Sequence, residues 1–587
     1  RLHPVITDAS FRIAEAIFQD KDADQIHLPF GISGFSCDHA AIGTVWIKAT
    51  ARQQAQTRVV NLELFDEKGE RIATVEQLTL RSVPVLSLKR AMAKPFATSN
   101  VLNDWLYHMV WEVSDLPKSP DNEKAGSWLF LADNGGVTDA LLPLMREAGQ
   151  KVYVAKSTDA ACAFLSSEDG EGLSGVLHLW AMDSRESKPD DFLLASLEVV
   201  QVLNQVGGTG KHWFVTKGAQ AVNIDDIVIP WQSQFWGFGR TLQVEQLERL
   251  GGCIDLDSVF DKVHSSLEML VTEICSFNTE KEVAFRDGSR CVARLVKPGV
   301  YEDPHGSLEL DPNASYLITG GIGALGLQVA QYLATHGACH LVLTGRSGVS
   351  TDDQRSTLKA LEDAGVKIEV FAADVSNVDD VKKVISSMPN LRGIVHAAGI
   401  LDDGMLMQQS PDRFIKVAGP KVSGAWNLHS QTLDMPLEFF VLFSSVASII
   451  GSPGQSNYAA ANAFMDGLAQ HRKQQGLVAT AINWGPWADV GMASSDIVLQ
   501  RLMKDGWQPM NAGQGCNFIG HLLTARDLPQ AAVLPIDWGQ FASNIPGANN
   551  WSILSHVVPK ERSSPLIGNA AELAAQRVKK ALPNQRI

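Results

Sequence analysis

Residues 315–337 read SYLITGGIGALGLQVAQYLATHG, and this stretch decides the fold. SYLIT is a short apolar run of strand type, whereas LQVAQYLATH spaces its apolar residues at helical intervals. Between them Gly321, Gly323 and Gly326 form GxGxxG in the strand-to-helix setting that the motif requires. Glycines let the backbone approach a pyrophosphate, and the helix N-terminus offers N–H groups and a partial positive charge to the anion. Thr319, closing the strand, joins the three glycines as a candidate cofactor contact. Outward from this point the runs HLVLTG (from His340), KIEVFAAD (from Lys367), GIVHAAG (from Gly393), FFVLFSS (from Phe439) and VATAINWG (from Val478) alternate with helical segments. Six strands in that rhythm predict a parallel, doubly wound sheet of Rossmann type over 311–546.

The same rhythm recurs more faintly upstream, in SWLFLADNGG (from Ser127), KVYVAK (from Lys151), GVLHLWAMDS (from Gly175) and KHWFVTKG (from Lys211). The third of these aligns with GIVHAAGILDD. Residues 105–310 are therefore read as a degenerate internal repeat, a second Rossmann-like unit without the phosphate-binding glycines, packed as a noncatalytic sheet against the catalytic one. Residues 1–85 differ: the helix-like DASFRIAEAIF is followed by strand-like GTVWIKAT, RVVNLELFD and RIATVEQLTLRSV, which predicts an α+β module. Linkers are expected at 86–104 and, from PKERSSP to ALPNQRI, over 547–587.

At 587 residues, three or four domains are expected. The hydrophobic fraction of 45% and charged fraction of 20% suit buried cores. Fifty Lys plus Arg against 65 Asp plus Glu leave a net charge of −15, the wrong sign for a protein held to phosphate backbones, so no nucleic acid partner is expected. The seven cysteines are widely spaced and never form CxxC, so neither a disulfide framework nor a metal site is expected. No run of apolar residues suffices for a membrane span, and the sequence opens at Arg1 without an apolar leader. A cytoplasmic piece of a longer chain is the resulting expectation.

The second strand ends at Thr344 and Gly345, and Arg346 with Ser347 follow where an acidic residue would hold the ribose of NAD. Arg346 suits a 2′-phosphate instead, which points to NADPH. Asp374 in AADV is placed either to bond the adenine amine or simply to cap a turn. Strand FFVLFSS ends in Ser444 and Ser445. Thirteen residues beyond Ser445 comes Tyr458 in GQSNYAAANAFMDGLAQ, with Asn462 on the same helix face. Reduction of a carbonyl by hydride needs a proton donor for the developing alkoxide and a hydrogen-bond donor to hold its oxygen. A phenol is a weak acid, so a nearby ammonium is required to tune it.

These residues resemble the short-chain dehydrogenases, with one departure: their YxxxK would place lysine where Asn462 stands. The ketoreductase domains of modular polyketide synthases, and the similar domain of animal fatty acid synthase, exchange the two residues and carry their lysine upstream. This chain has GPKVSGAWNLH with Lys421, together with TGGIGALG, GRSG, HAAG, LDD, FSS and GQxNYxAANxxxD in order. The resemblance implies that Tyr458 protonates the ketone, Ser445 orients it, and Lys421 and Asn462 tune the phenol and support proton relay. It adds Ala397 and Gly399 of HAAG, and Pro486 beside Gly485, to the cofactor contacts. Leu401, Asp402 and Asp403 match the LDD of B-type members, with Asp403 diagnostic. Ile450 stands where A-type members carry tryptophan, and Ala460 where epimerising B-type members carry proline. The implied product is a D (3R) 3-hydroxyacyl thioester. The stretch from Ala493 to Lys504 resembles a substrate lid, with Met492 beside it as a substrate contact.

The span 105–310 resembles the structural subdomain of such reductases. The opening RLHPVITDASF resembles the second hot dog of a polyketide synthase dehydratase, with His3, Pro4 and Asp8 in its HPxxxD motif. The matching first hot dog is absent, so this part alone is expected to be inactive. The implied partners are a phosphopantetheine-tethered 3-ketoacyl chain on an acyl carrier protein and the other synthase domains, with room for a homodimer. Two rival readings stand beside this one: a dehydratase centred on Asp8, and a noncatalytic assembly scaffold.

Overall fold

A computed structural model describes residues 25–37, 45–54, 57–84, 104–117, 125–186, 191–258, 264–276, 279–298, 308–488, 496–525 and 528–559. The helix-like stretch that begins at Asp8 and the motif residues His3 and Asp8 lie outside these, as do Met492 and most of the linker segments. Two compact units result, Arg1–Thr98 and Ser99–Ile587.

The first unit is an antiparallel sheet of β1 (Gln25–Cys37), β2 (Trp46–Gln54), β3 (Thr57–Phe65) and β4 (Arg71–Pro84) in the order β1-β4-β3-β2. Alternation of side chains between faces buries Val60, Leu62 and Leu64 on β3. On β4 the buried set shifts phase, from Ala73 and Val75 to Leu78 and Leu80. The cause is an extra residue on β4, since Val60 faces Leu78 whereas Leu62 faces Val75. The β3–β4 turn is closed by Asp66, whose Oδ1 accepts from the N–H groups of Lys68 and Glu70 at 2.9 and 2.8 Å.

The second unit contains a sheet of fifteen strands. Its noncatalytic half comprises β5 (Leu106–Val113), β6 (Ser127–Leu131), β7 (Lys151–Ala155), β8 (Gly175–His178), β9 (Lys211–Lys217), β10 (Leu250–Leu256), β11 (Glu282–Arg286) and β12 (Ser289–Val296). The other half comprises β13 (Ser315–Thr319), β14 (His340–Gly345), β15 (Lys367–Ala372), β16 (Leu391–His396), β17 (Phe439–Ser445), β18 (Thr480–Trp484) and β19 (Gln530–Val533). The order is β15-β14-β13-β16-β17-β18-β19-β5-β12-β11-β10-β9-β8-β6-β7. In chain order the second half runs 3-2-1-4-5-6-7, the doubly wound arrangement whose switch point lies between β13 and β16. Counted from β6, the upstream half runs 2-1-3-4-5-6-7 and ends on β5, so the outermost position that β15 takes in the other half has no counterpart there.

The noncatalytic sheet packs against the catalytic one edge to edge. β5 pairs antiparallel with β19 through Leu106 and Tyr107, and with β12 from His108 to Val113. A helix from each half covers the seam. Every residue of Pro230–Glu245 as far as Leu242 is buried, and it lies against Ser456–Gln474, where a Cβ on Gly237 would meet the Ala459 carbonyl oxygen at 2.2 Å. Within the segment expected as a C-terminal linker, Trp551, Ile553 and Leu554 are buried with Tyr107 and Leu295.

Candidate active site

The cofactor loop is built by close approach. Gly320 has φ of 67°, and Gly321 donates its N–H to the Thr344 carbonyl at 3.0 Å. A Cβ on Gly326 would lie 2.3 Å from the Gly320 oxygen, and one on Gly321 2.6 Å from the Ile318 oxygen. Gly323 caps helix Ala324–Thr335 with no side chain over its N-terminus. The cradle therefore fits a pyrophosphate, and a methyl group at Gly326 would force the loop off the helix.

Across the switch point the Thr319 hydroxyl meets His396 Nδ1 at 2.6 Å, so the Thr319 side chain faces into the sheet. Its carbonyl accepts from Ala397 N–H at 3.0 Å, which brings HAAG against the glycine loop. Arg346 and Ser347 are exposed on the turn after β14. Asp374 is turned on itself: its Oδ1 accepts from the Ser376 hydroxyl at 2.6 Å and N–H at 2.9 Å. Those bonds, with the nearby Arg346 charge as a smaller cause, hold its pKa below the usual value. Pro486 lies after β18, its carbonyl accepting from Met510 N–H at 3.0 Å.

Lys421, Ser445, Tyr458 and Asn462 come together at the carboxyl end of β17. Lys421 sits in a π-helical turn, Gly419–Ser423, and is 3% exposed. Its Nζ donates to the Phe443 carbonyl and to Asn462 Oδ1, both at 2.9 Å, and lies 5.0 Å from the centre of the Tyr458 ring. A Cβ on Gly399 would sit 2.9 Å from Lys421 Cε, so that glycine is where the lysine stem passes HAAG. Burial pushes the ammonium down to about 7, with Asp466 opposing. Burial pushes the Tyr458 phenol up to about 12, opposed by hydrogen bonding to Asn462 and Ser445. Asn462 Nδ2 donates to the Tyr458 carbonyl at 2.7 Å, one helical turn back.

Behind the site lies a buried polar network. Asp466 accepts from the Ser448 hydroxyl at 2.6 Å and from Asn483 Nδ2 at 2.9 Å, and burial raises it to about 6. The Ser448 carbonyl takes a short hydrogen bond from Arg240 of the noncatalytic half, and Arg240 is held by Glu282 at 2.6 and 2.9 Å. In front of the site Asp402 pairs with Lys416 at 2.7 Å, Leu401 is half-buried against the core, and Asp403 accepts from Gln455 Nε2 at 3.1 and 3.3 Å. Burial raises Asp403, with Asp402 adding to the rise. Gln455 and Asn483 stood in quoted motifs or runs and Arg240 in none, and nothing in their spacing marked them, because each acts through a partner distant in sequence. Among the described residues no acidic, His or Cys cluster could hold a metal ion, and no helix is long and apolar enough to cross a membrane.

Residues 314–489 match the family described as the KR domain. Residues 1–90 match the Polyketide synthase dehydratase N-terminal domain; that description names the N-terminal domain, whereas the HPxxxD resemblance is to the second hot dog. The chain is similar to Polyketide synthase GfsA of Streptomyces halstedii, 33% identical over 505 residues that cover 81% of this chain and 7% of that protein. It is also similar to the Phenolphthiocerol synthesis polyketide synthase type I Pks15/1 of Mycobacterium marinum, 40% identical over 445 residues, 70% of this chain and 20% of that protein. The chain thus spans a small part of these relatives. Among solved structures, an A-type ketoreductase from a modular polyketide synthase aligns with TM-score 0.69 at 29% identity, covering 78% of this chain and 98% of that one. The first ketoreductase of the tylosin synthase aligns with TM-score 0.66 at 28% identity, covering 76% and 95%.

Proposed function

Since the chain carries the ketoreductase of a modular polyketide synthase with a dehydratase-like part ahead of it, we propose that it reduces a 3-ketoacyl thioester on an acyl carrier protein to the D (3R) alcohol with NADPH. The observation that carries this is the contact of Lys421 with Asn462 at 2.9 Å beside the Tyr458 ring, the exchanged arrangement on which the resemblance rests. Gly321, Gly323 and Gly326 would hold the pyrophosphate, and Arg346 with Ser347 the 2′-phosphate. NADPH held there would supply the hydride. Tyr458 Oη donates its proton to the ketone oxygen, and the Ser445 hydroxyl donates a hydrogen bond to the same oxygen as charge develops. The Lys421 ammonium favours the phenolate that Tyr458 leaves behind, and Asn462 Oδ1 fixes where that ammonium points.

The stereochemical reading rests on Asp403 with Leu401, and on Ile450 and Ala460 standing where other types differ. The similarity to A-type structures is one of fold and does not bear on it. Purified chain given NADPH and a simple 3-ketoacyl thioester should oxidise the cofactor and yield mostly the D alcohol; a dominant L alcohol refutes the B-type assignment. Tyr458→Phe should lower turnover by about 10²- to 10⁴-fold while still binding NADPH, and full turnover in that variant would end the mechanism. The dehydratase reading, centred on Asp8, is tested by supplying a 3-hydroxyacyl thioester; enoyl product would support it.

A further inference from the structure

Helix Pro230–Glu245 of the noncatalytic half ends in a carboxylate. An anion at a helix C-terminus faces the negative end of the dipole, so its placement calls for donors from elsewhere, and two loops supply them. Glu245 Oε2 accepts the Leu406 N–H at 2.7 Å and Oε1 accepts the Gly454 N–H at 2.8 Å. The first loop continues from Leu401, Asp402 and Asp403; the second leads into Gln455 and Tyr458. The two are also zipped directly, Gly404 N–H to the Gly454 carbonyl at 2.8 Å and Gln455 Nε2 to Asp403. Gly454 has φ of 79°, a conformation that a side chain would strain. Gln201, on a second helix of the same half, donates to the Leu406 and Gln409 carbonyls at 2.9 and 3.0 Å, so the noncatalytic half grips this loop by both polar groups of Leu406.

We infer that Glu245 is a positioning residue for the stereochemical outcome, a clasp whose two oxygens fix the Asp403 loop to the loop entering Tyr458. The inference rests on the ketoreductase reading. Its chemistry is specific to a carboxylate, which can accept from both loops at once. A glutamine at this position accepts from one N–H and turns its own donors on the other. Glu245 touches neither ketone nor cofactor, so it acts on the angle at which the chain enters between Asp403 and Tyr458.

The test compares the full chain with Glu245→Gln in two measurements. Amide hydrogen exchange at Leu406 or Gly454 should accelerate by about tenfold or more, the loss of one hydrogen bond to a charged group; unchanged exchange at both overturns the clasp whether or not the protein turns over. With NADPH and a 3-ketoacyl thioester, the share of the minor alcohol should rise by about tenfold at unchanged NADPH affinity, and an unaltered product ratio overturns the stereochemical role. An unmodified chain that reduces no ketone removes the ketoreductase reading and this role with it, while exchange still decides the clasp. Should the glutamine variant not fold, Glu245→Asp keeps the charge but withdraws it by about 1.5 Å, and the same two results are expected and decide in the same way.

Discussion

Lys421 shows how much of the site's chemistry is set by burial. Its ammonium is compensated by two neutral oxygens and by Asp466 at a distance, and burial brings its pKa to about 7. The charged form is therefore lost as pH rises through about 7, and ketone reduction should fall on that alkaline side. Lys421→Met should slow turnover by about 10²-fold and flatten that limb in a pH–rate profile; an unchanged limb assigns it to another group. Arg346 is exposed, and its charge helps to hold Asp374 below its ordinary value. Arg346→Ala should weaken NADPH binding by about 10- to 100-fold, as for a lost hydrogen bond to a charged group, and leave NADH nearly unaffected; equal loss for both cofactors would refute a 2′-phosphate contact. Lys421, Ser445, Tyr458 and Asn462 were readable because strand end, helix spacing and motif order constrain them locally. Glu245 and Gln455 were not, since they act on backbone groups and side chains of loops up to about two hundred residues away in sequence.

Helix Ser456–Gln474 carries Tyr458, Asn462 and Asp466 along one face and leaves alanines and Gly467 for its neighbour. Pro230–Glu245 approaches it so closely that Gly237 has no room for a side chain, its Cβ position lying 2.2 Å from the Ala459 oxygen. Gly237→Val should cost about 1–3 kcal/mol by overpacking and reduce turnover by shifting Tyr458. Urea unfolding with an unchanged midpoint would contradict that packing. At this scale the sequence was legible where short, largely apolar runs alternated with helical segments: the six runs from SYLIT to VATAINWG overlap β13 to β18. The four residues of β19 escaped notice because Gln530–Val533 is too short to show a period. Its importance is as the link to β5, which no local pattern announces.

Across the whole molecule, neutral histidines are buried in both halves. His178 and His212 bond to each other at 3.0 Å, and His396 holds Thr319. Burial, chiefly, lowers His178 well below its ordinary value and lowers His212, His396 and His429 to about 3. A ring whose folded pKa is depressed stabilises the fold above pH 6.5, and that stability is lost as pH falls from 6.5 towards 3. Asp466, raised to about 6, acts in the opposite sense between about 4 and 6, as do Asp183 and Asp403, which burial also raises; the lowered His108 and His471 and the lowered carboxyls Glu280, Glu369, Asp374 and Asp402 act with the four histidines. The urea midpoint should therefore drop steadily from pH 7 to pH 4, and a flat profile would refute it. The edge-to-edge joining of the sheets has a consequence for how such a unit sits in a long polypeptide. β5 is the first strand of the sheet in chain order, yet it lies beside the last, β19, and the segment beyond β19 returns to it, with His556 3.1 Å from Glu112. First and last strands are therefore neighbours, and the reductase closes on itself in its connectivity: the strand by which the chain enters the sheet is secured by the strand with which it leaves.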